Sequence, residues 1–127
     1  MNSEPSKKAV LLVDDDPKSL KLLAVKLTQE GYRVITAQSG KEALEAIKLE
    51  KPGLVLLDIM MPEMDGIEVL KRIKTFSPDI PVAMVTAVWD EQEAKKALKA
   101  GAYEYITKPI DTEYLKLAVL AKLFPDE

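Results

Sequence analysis

The 127-residue chain contains neither cysteine nor histidine. Without cysteine there is no disulfide framework, no thiolate metal site and no cysteine nucleophile. Without histidine there is no imidazole general base, no imidazole metal ligand and no phosphohistidine carrier. Chemistry on this chain must therefore use carboxylate, hydroxyl, amine or a bound hard cation. No apolar run approaches membrane-spanning length, and residues 1–8 lack the apolar segment of a signal peptide. That opening reads as a flexible N-terminal arm, and a cytoplasmic location with no membrane partner is expected. Excess positive charge is missing too: 18 Lys and Arg against 21 Asp and Glu leave a formal charge of −3, which argues against direct nucleic-acid binding.

What is present suits one core. Apolar residues make up 47% of the chain, enough to offset chain entropy in a single domain over residues 9–124, with 125–127 a tail or boundary. The organising stretch is Leu54-Val55-Leu56-Leu57-Asp58, followed by a loop with Pro62 and Gly66. An unbroken apolar run of this kind reads as a strand covered on both faces, as in parallel sheets. Ala9–Val13 is a second such strand, running into Asp14-Asp15-Asp16-Pro17. Tyr32–Ala37, Val82–Thr86 and Tyr103–Thr107 complete five strands, each followed by a helical pattern. Gly31 reads as a left-handed helix cap, and Asp16 before Pro17 as an N-cap. Ser39 with Glu42 and Asp90 with Glu93 are capping-box pairs, while Asp65 and Gly66 open the third helix. The last helix spans about Asp111 to Phe124.

Five β-α units predict a doubly wound α/β three-layer sandwich, because right-handed crossovers place helices on both faces of a parallel sheet. Asp14, Asp15, Asp58, Thr86 and Lys108 then share the carboxyl edge of the sheet, where ligands collect in open α/β folds. Three carboxylates in one place repel unless a cation sits among them. Oxygen-only ligands favour a hard ion such as Mg²⁺, with Mn²⁺ as an alternative. Lys108 adds positive charge and Thr86 a hydroxyl. The set is poorly suited to proton abstraction and well suited to holding a phosphoryl group while a carboxylate oxygen attacks phosphorus.

Four motifs occur in order between Val13 and Pro109: Val-Asp-Asp-Asp-Pro, Leu-Leu-Asp-Ile-Met-Met-Pro-Glu-Met-Asp-Gly, Val-Thr-Ala and Ala-Gly-Ala-Tyr-Glu-Tyr-Ile-Thr-Lys-Pro. Together they resemble the receiver domain of two-component response regulators, of the chemotaxis-regulator type. The resemblance implies a flavodoxin-like sheet of strand order 2-1-3-4-5. It implies that Asp58 accepts a phosphoryl group from a histidine kinase or phosphotransfer protein. Asp15 is then the direct acidic Mg²⁺ ligand, Asp14 acts largely through water, and the Met60 carbonyl completes the protein's share of the shell. Lys108 pairs with the phosphoryl oxygens, preceding a cis bond to Pro109. Thr86 and Tyr105 form the switch pair that changes a surface read by an effector or output domain.

Other readings of the same residues stay open at this level. Each site residue taken alone has an ordinary role: Thr86 as a β-branched strand residue, Lys108 as a solvated amine, Asp58 as a turn cap. Asp14-x-Asp16 superficially resembles the nucleophile motif of haloacid dehalogenase-type phosphatases. A flavodoxin-like cofactor site and a non-phosphorylated interaction module are further alternatives. Tyr114, Leu117, Ala121 and Phe124 line one side of the last helix and Leu115, Ala118 and Val119 another, so that helix is a candidate docking face.

Overall fold

The computed structural model describes residues 9–58, 65–87 and 89–123, apart from the side chains of Thr112 and Leu123. The expected N-terminal arm, the loop carrying Met60 and Pro62, Phe124 and the tail lie outside the described residues. Five strands alternate with five helices: β1 (Ala9–Val13), α1 (Pro17–Gln29), β2 (Arg33–Ala37), α2 (Gly40–Glu50), β3 (Leu54–Asp58), α3 (Gly66–Phe76), β4 (Val82–Thr86), α4 (Glu91–Lys99), β5 (Glu104–Thr107) and α5 (Thr112–Leu123). All pairings are parallel, and the order is β2-β1-β3-β4-β5.

The three central strands β1, β3 and β4 are buried along their whole length, which is why their sequences are continuous apolar runs. Side chains of a strand alternate between faces, and here they feed two separate cores. Leu11, Val55, Leu57 and Met84 pack with Ile47 of α2, Leu70 and Ile73 of α3 and Ala97 of α4. Val10, Leu12, Leu56 and Val85 pack with Leu20 and Leu27 of α1 and Leu115 and Val119 of α5. The result is the three-layer arrangement, with α2–α4 on one face and α1 and α5 on the other.

The local signals act largely as expected. Asp16 caps α1, accepting from the Lys18 N–H at 3.1 Å and the Ser19 hydroxyl at 2.9 Å. Gly31 follows that helix at φ +93°, a conformation glycine adopts freely. Asp65 accepts from the Ile67 N–H at 2.9 Å, opening α3. The α2 box is shifted by one residue: Ser39 accepts from Glu42 N–H, but the Glu42 carboxylate reaches back to the Gln38 N–H instead of Ser39. Strands β2 and β5 each start one residue later than the sequence pattern suggests. Tyr32 and Tyr103 pack their rings against the α1/α5 core at these points, Tyr103 still donating its N–H to the Val82 carbonyl at 3.0 Å.

Candidate functional site

Register carries the candidate residues to one edge. Asp58 is the last residue of β3, and Asp14 follows β1, which is registered directly beside it. The Asp14 N–H donates to the Ala37 carbonyl at 3.1 Å, prolonging the ladder past the end of β1. Thr86 ends β4 opposite Thr107, so Lys108 is the next residue along β5. The Lys108 N–H donates to the Thr86 carbonyl at 2.6 Å, fixing the base of the lysine beside β4. The Lys108–Pro109 bond is cis, as expected.

Alternation decides which way the side chains face. Asp14 and Asp58 share parity with Leu12 and Leu56, and all four line a cleft on the α1/α5 side. Asp14 and Asp58 are buried, 8% and 7% exposed, in a place where an unpaired carboxylate is costly. Lys108 bridges them, its Nζ 3.2 Å from Asp14 Oδ2 and 3.4 Å from Asp58 Oδ2. Asp14 also accepts the Asp16 N–H at 2.9 Å. Burial alone would push the Lys108 ammonium down, but Asp58 and Asp14 together outweigh it and hold its pKa above the usual lysine range. One ligand oxygen from each of Asp14, Asp15 and Asp58 lies within 4.8 Å of the others. Three carboxylates against one ammonium leave excess negative charge, and an all-oxygen donor set of this size fits a hard divalent cation. Asp15 is half-buried and accepts no hydrogen bond among the described residues, so its lone pairs are open to an ion.

Asp16 plays no part in this cluster. Its carboxylate is exposed and committed to the helix cap, where the Ser19 hydroxyl and then the Lys18 N–H hold its pKa below the usual range. The Asp14-x-Asp16 pair therefore does not present two catalytic carboxylates to one substrate, as the phosphatase reading needs.

Thr86 and Tyr105 belong to the opposite face. Thr86 is buried at 2% exposure, and Tyr105 packs against the core beneath α2–α4. The Tyr105 pKa is raised by burial and then by the Asp90 and Glu93 charges. The Tyr105 ring lies beside the β4–α4 loop. Trp89 meets it edge to face, ring centroids 5.4 Å apart and planes at 82°. The sequence reading passed over Trp89. The available signal was a large aromatic three residues after Thr86, in a loop where solvation favours small polar residues.

The sequence model of the response regulator receiver domain matches residues 10–120. The transcriptional regulatory protein GlrR of Escherichia coli is 44% identical over 110 residues, covering 87% of this chain and 25% of that protein. The alkaline phosphatase synthesis transcriptional regulatory protein PhoP of Bacillus subtilis is 40% identical over 116 residues, covering 91% of this chain and 48% of that protein. The chain thus spans between a quarter and a half of the length of these relatives. Among solved structures, a CheY-like response regulator receiver domain protein from Methanospirillum hungatei superposes with a TM-score of 0.87 at 35% identity, covering 92% of this chain and 94% of that one. A two-component response regulator from Clostridium difficile gives 0.89 at 26% identity, covering 95% and 100%. With the fold, the acidic edge and a match across nearly its whole length in agreement, the chain belongs to the response regulator receiver domain family.

Proposed function

We propose that Asp58 is the phosphoacceptor of this receiver domain and that the acidic cluster holds Mg²⁺. The observation that carries the reading is the convergence of Asp14, Asp15 and Asp58 with Lys108 bridged between two of them. Asp15, with its free lone pairs, is the direct ligand together with Asp58; Asp14, already bonded to Lys108 and the Asp16 N–H, acts through water. The Met60 carbonyl is assigned to the same shell from the family resemblance alone. A bound divalent cation supplies charge neutralisation for the carboxylates and the incoming phosphoryl oxygens.

An Asp58 carboxylate oxygen attacks phosphorus, and the bond from phosphorus to the donor nitrogen or oxygen breaks, the electron pair leaving with the donor. Lys108, positively charged at neutral pH, moves its ammonium from the carboxylates to a phosphoryl oxygen. Thr86 then reorients its hydroxyl toward the phosphoryl group, and Tyr105 follows into the space behind it. This shifts a two-state equilibrium on the α4–β5 surface, the face read by an output partner. A histidine kinase or phosphotransfer protein is the donor, and the chain acts as a signalling phosphoacceptor in the cytoplasm. No described helix is long and apolar enough to cross a membrane. The test is incubation with acetyl phosphate or a phosphohistidine donor, with and without Mg²⁺, followed by intact mass. The wild type should acquire one phosphoryl group only with the cation, and Asp58→Asn none. Full labelling of Asp58→Asn overturns the assignment.

A further inference from the structure

The switch pair assigned above has an aromatic neighbour that the phosphoryl chemistry does not require. Trp89 stands directly before Asp90, the residue that caps α4 by accepting the Gln92 N–H at 2.9 Å and the Glu93 N–H at 3.2 Å. That cap fixes the point at which the chain enters α4, so the Trp89 backbone cannot travel far without opening the first turn. Tyr105 is held from the other side, paired in register with Met84 of β4. The two rings meet edge to face, centroids 5.4 Å apart and planes at 82°. The contact thus joins the start of α4 to β5, beside the strand that ends in Thr86.

Burial does not account for this contact. Trp89 is 60% exposed, so most of its apolar surface stays in water, and the ring it meets is the one whose position the switch changes. On the reading of Asp58 as phosphoacceptor, on which this inference rests, Tyr105 moves into the space behind Thr86. Its ring must then leave an indole whose backbone is tethered to the α4 cap. We propose that Trp89 is a positioning residue that holds Tyr105 in its unphosphorylated place and so sets how readily the domain switches. A ring pair of this geometry biases a two-state equilibrium by about two- to tenfold. By linkage, removing it raises the affinity for a phosphoryl group at Asp58 by up to the same factor.

The probe is beryllofluoride, a stable phosphoryl mimic, titrated with Mg²⁺ into the full chain and followed by isothermal calorimetry. The wild type should bind one equivalent and Asp58→Asn none, which checks the phosphoacceptor reading separately. Trp89→Ala should bind about two- to tenfold more tightly than the wild type. Trp89→Phe, which retains an aromatic edge, should stay close to the wild type. The effect should run through Tyr105: in a Tyr105→Ala background, Trp89→Ala should change the affinity by less than about twofold. Because Trp89 is exposed, its variants should fold normally. Equal or weaker affinity in Trp89→Ala, with wild-type binding intact, overturns the proposal and leaves Asp58 as the acceptor. An undiminished gain in the Tyr105→Ala background overturns it as well, since Trp89 would then act on another group. A wild type that binds no mimic removes both readings.

Discussion

Removing the phosphoacceptor charge should make the metal-free protein more stable. Asp58 faces two carboxylates whose ligand oxygens lie within 4.8 Å and one ammonium at 3.4 Å. At an effective dielectric of about 20, each repulsion at 4.8 Å is about 3.5 kcal/mol and the attraction at 3.4 Å about 5 kcal/mol. Over these three neighbouring charges, the sum leaves about 2 kcal/mol of net repulsion on Asp58, before the cost of keeping a charge at a buried position is added. Water reaching the half-buried Asp15 screens part of it. Asp58→Asn keeps the shape and removes the charge, so it should gain about 1 to 2 kcal/mol, or roughly 3 to 8 °C in melting temperature for a domain of this size.

Lys108→Ala should move the other way. It strips both Asp14 and Asp58 of their counter-charge and should cost about 1 to 3 kcal/mol, less than a fully buried pair because the lysine is partly exposed. The assay is urea unfolding in a chelator, followed by far-ultraviolet circular dichroism, then repeated with excess Mg²⁺. A cation at about a hundredfold over its dissociation constant adds about 2.7 kcal/mol to whatever binds it. The wild type should therefore gain on Mg²⁺ addition and Asp58→Asn should gain much less, narrowing or reversing their order. An Asp58→Asn protein less stable than the wild type in chelator would refute the reasoning, because the carboxylates would then not be in mutual repulsion.

Two further outcomes rest on other parts of the structure. The Tyr103 hydroxyl is buried without a hydrogen-bond partner among the described residues, so Tyr103→Phe should stabilise the protein by about 1 kcal/mol. Burial, and then Glu104, push the Tyr103 pKa from 10.0 to about 12. The native state thus keeps a proton that the unfolded chain releases, and stability falls as pH rises across that window. Tyr103→Phe lacks this loss, so its advantage should widen from about pH 10 upward in denaturant titrations; a constant gap would contradict the burial of the phenol. Trp89, the single tryptophan, is 60% exposed and touches Tyr105 edge to face. Its emission should change when acetyl phosphate and Mg²⁺ are added to the wild type and stay fixed in Asp58→Asn, whereas unchanged wild-type emission at full labelling argues against movement of Tyr105.

How much of this was legible in the sequence follows from the range of each interaction. The strands that hold the site, β1, β3 and β4, are buried on both faces, so their apolar runs announced them and placed Asp14, Asp58 and Thr86 at strand ends. Caps such as Asp16 and Asp65 span two or three residues and could be read locally. Strand order alone brings Lys108 to the edge, but its bridge between Asp14 and Asp58 depends on contacts 94 and 50 residues away in sequence. The alternation of β3 and β4 also had a consequence that residue type does not show. Asp14 and Asp58 face α1 and α5, while Thr86 and Tyr105 belong to the layer of α2–α4. A signal passing from one pair to the other must therefore cross the sheet edge. The Lys108 N–H bonded to the Thr86 carbonyl, with the Lys108 ammonium on the two carboxylates, is a direct covalent and hydrogen-bonded path between those faces.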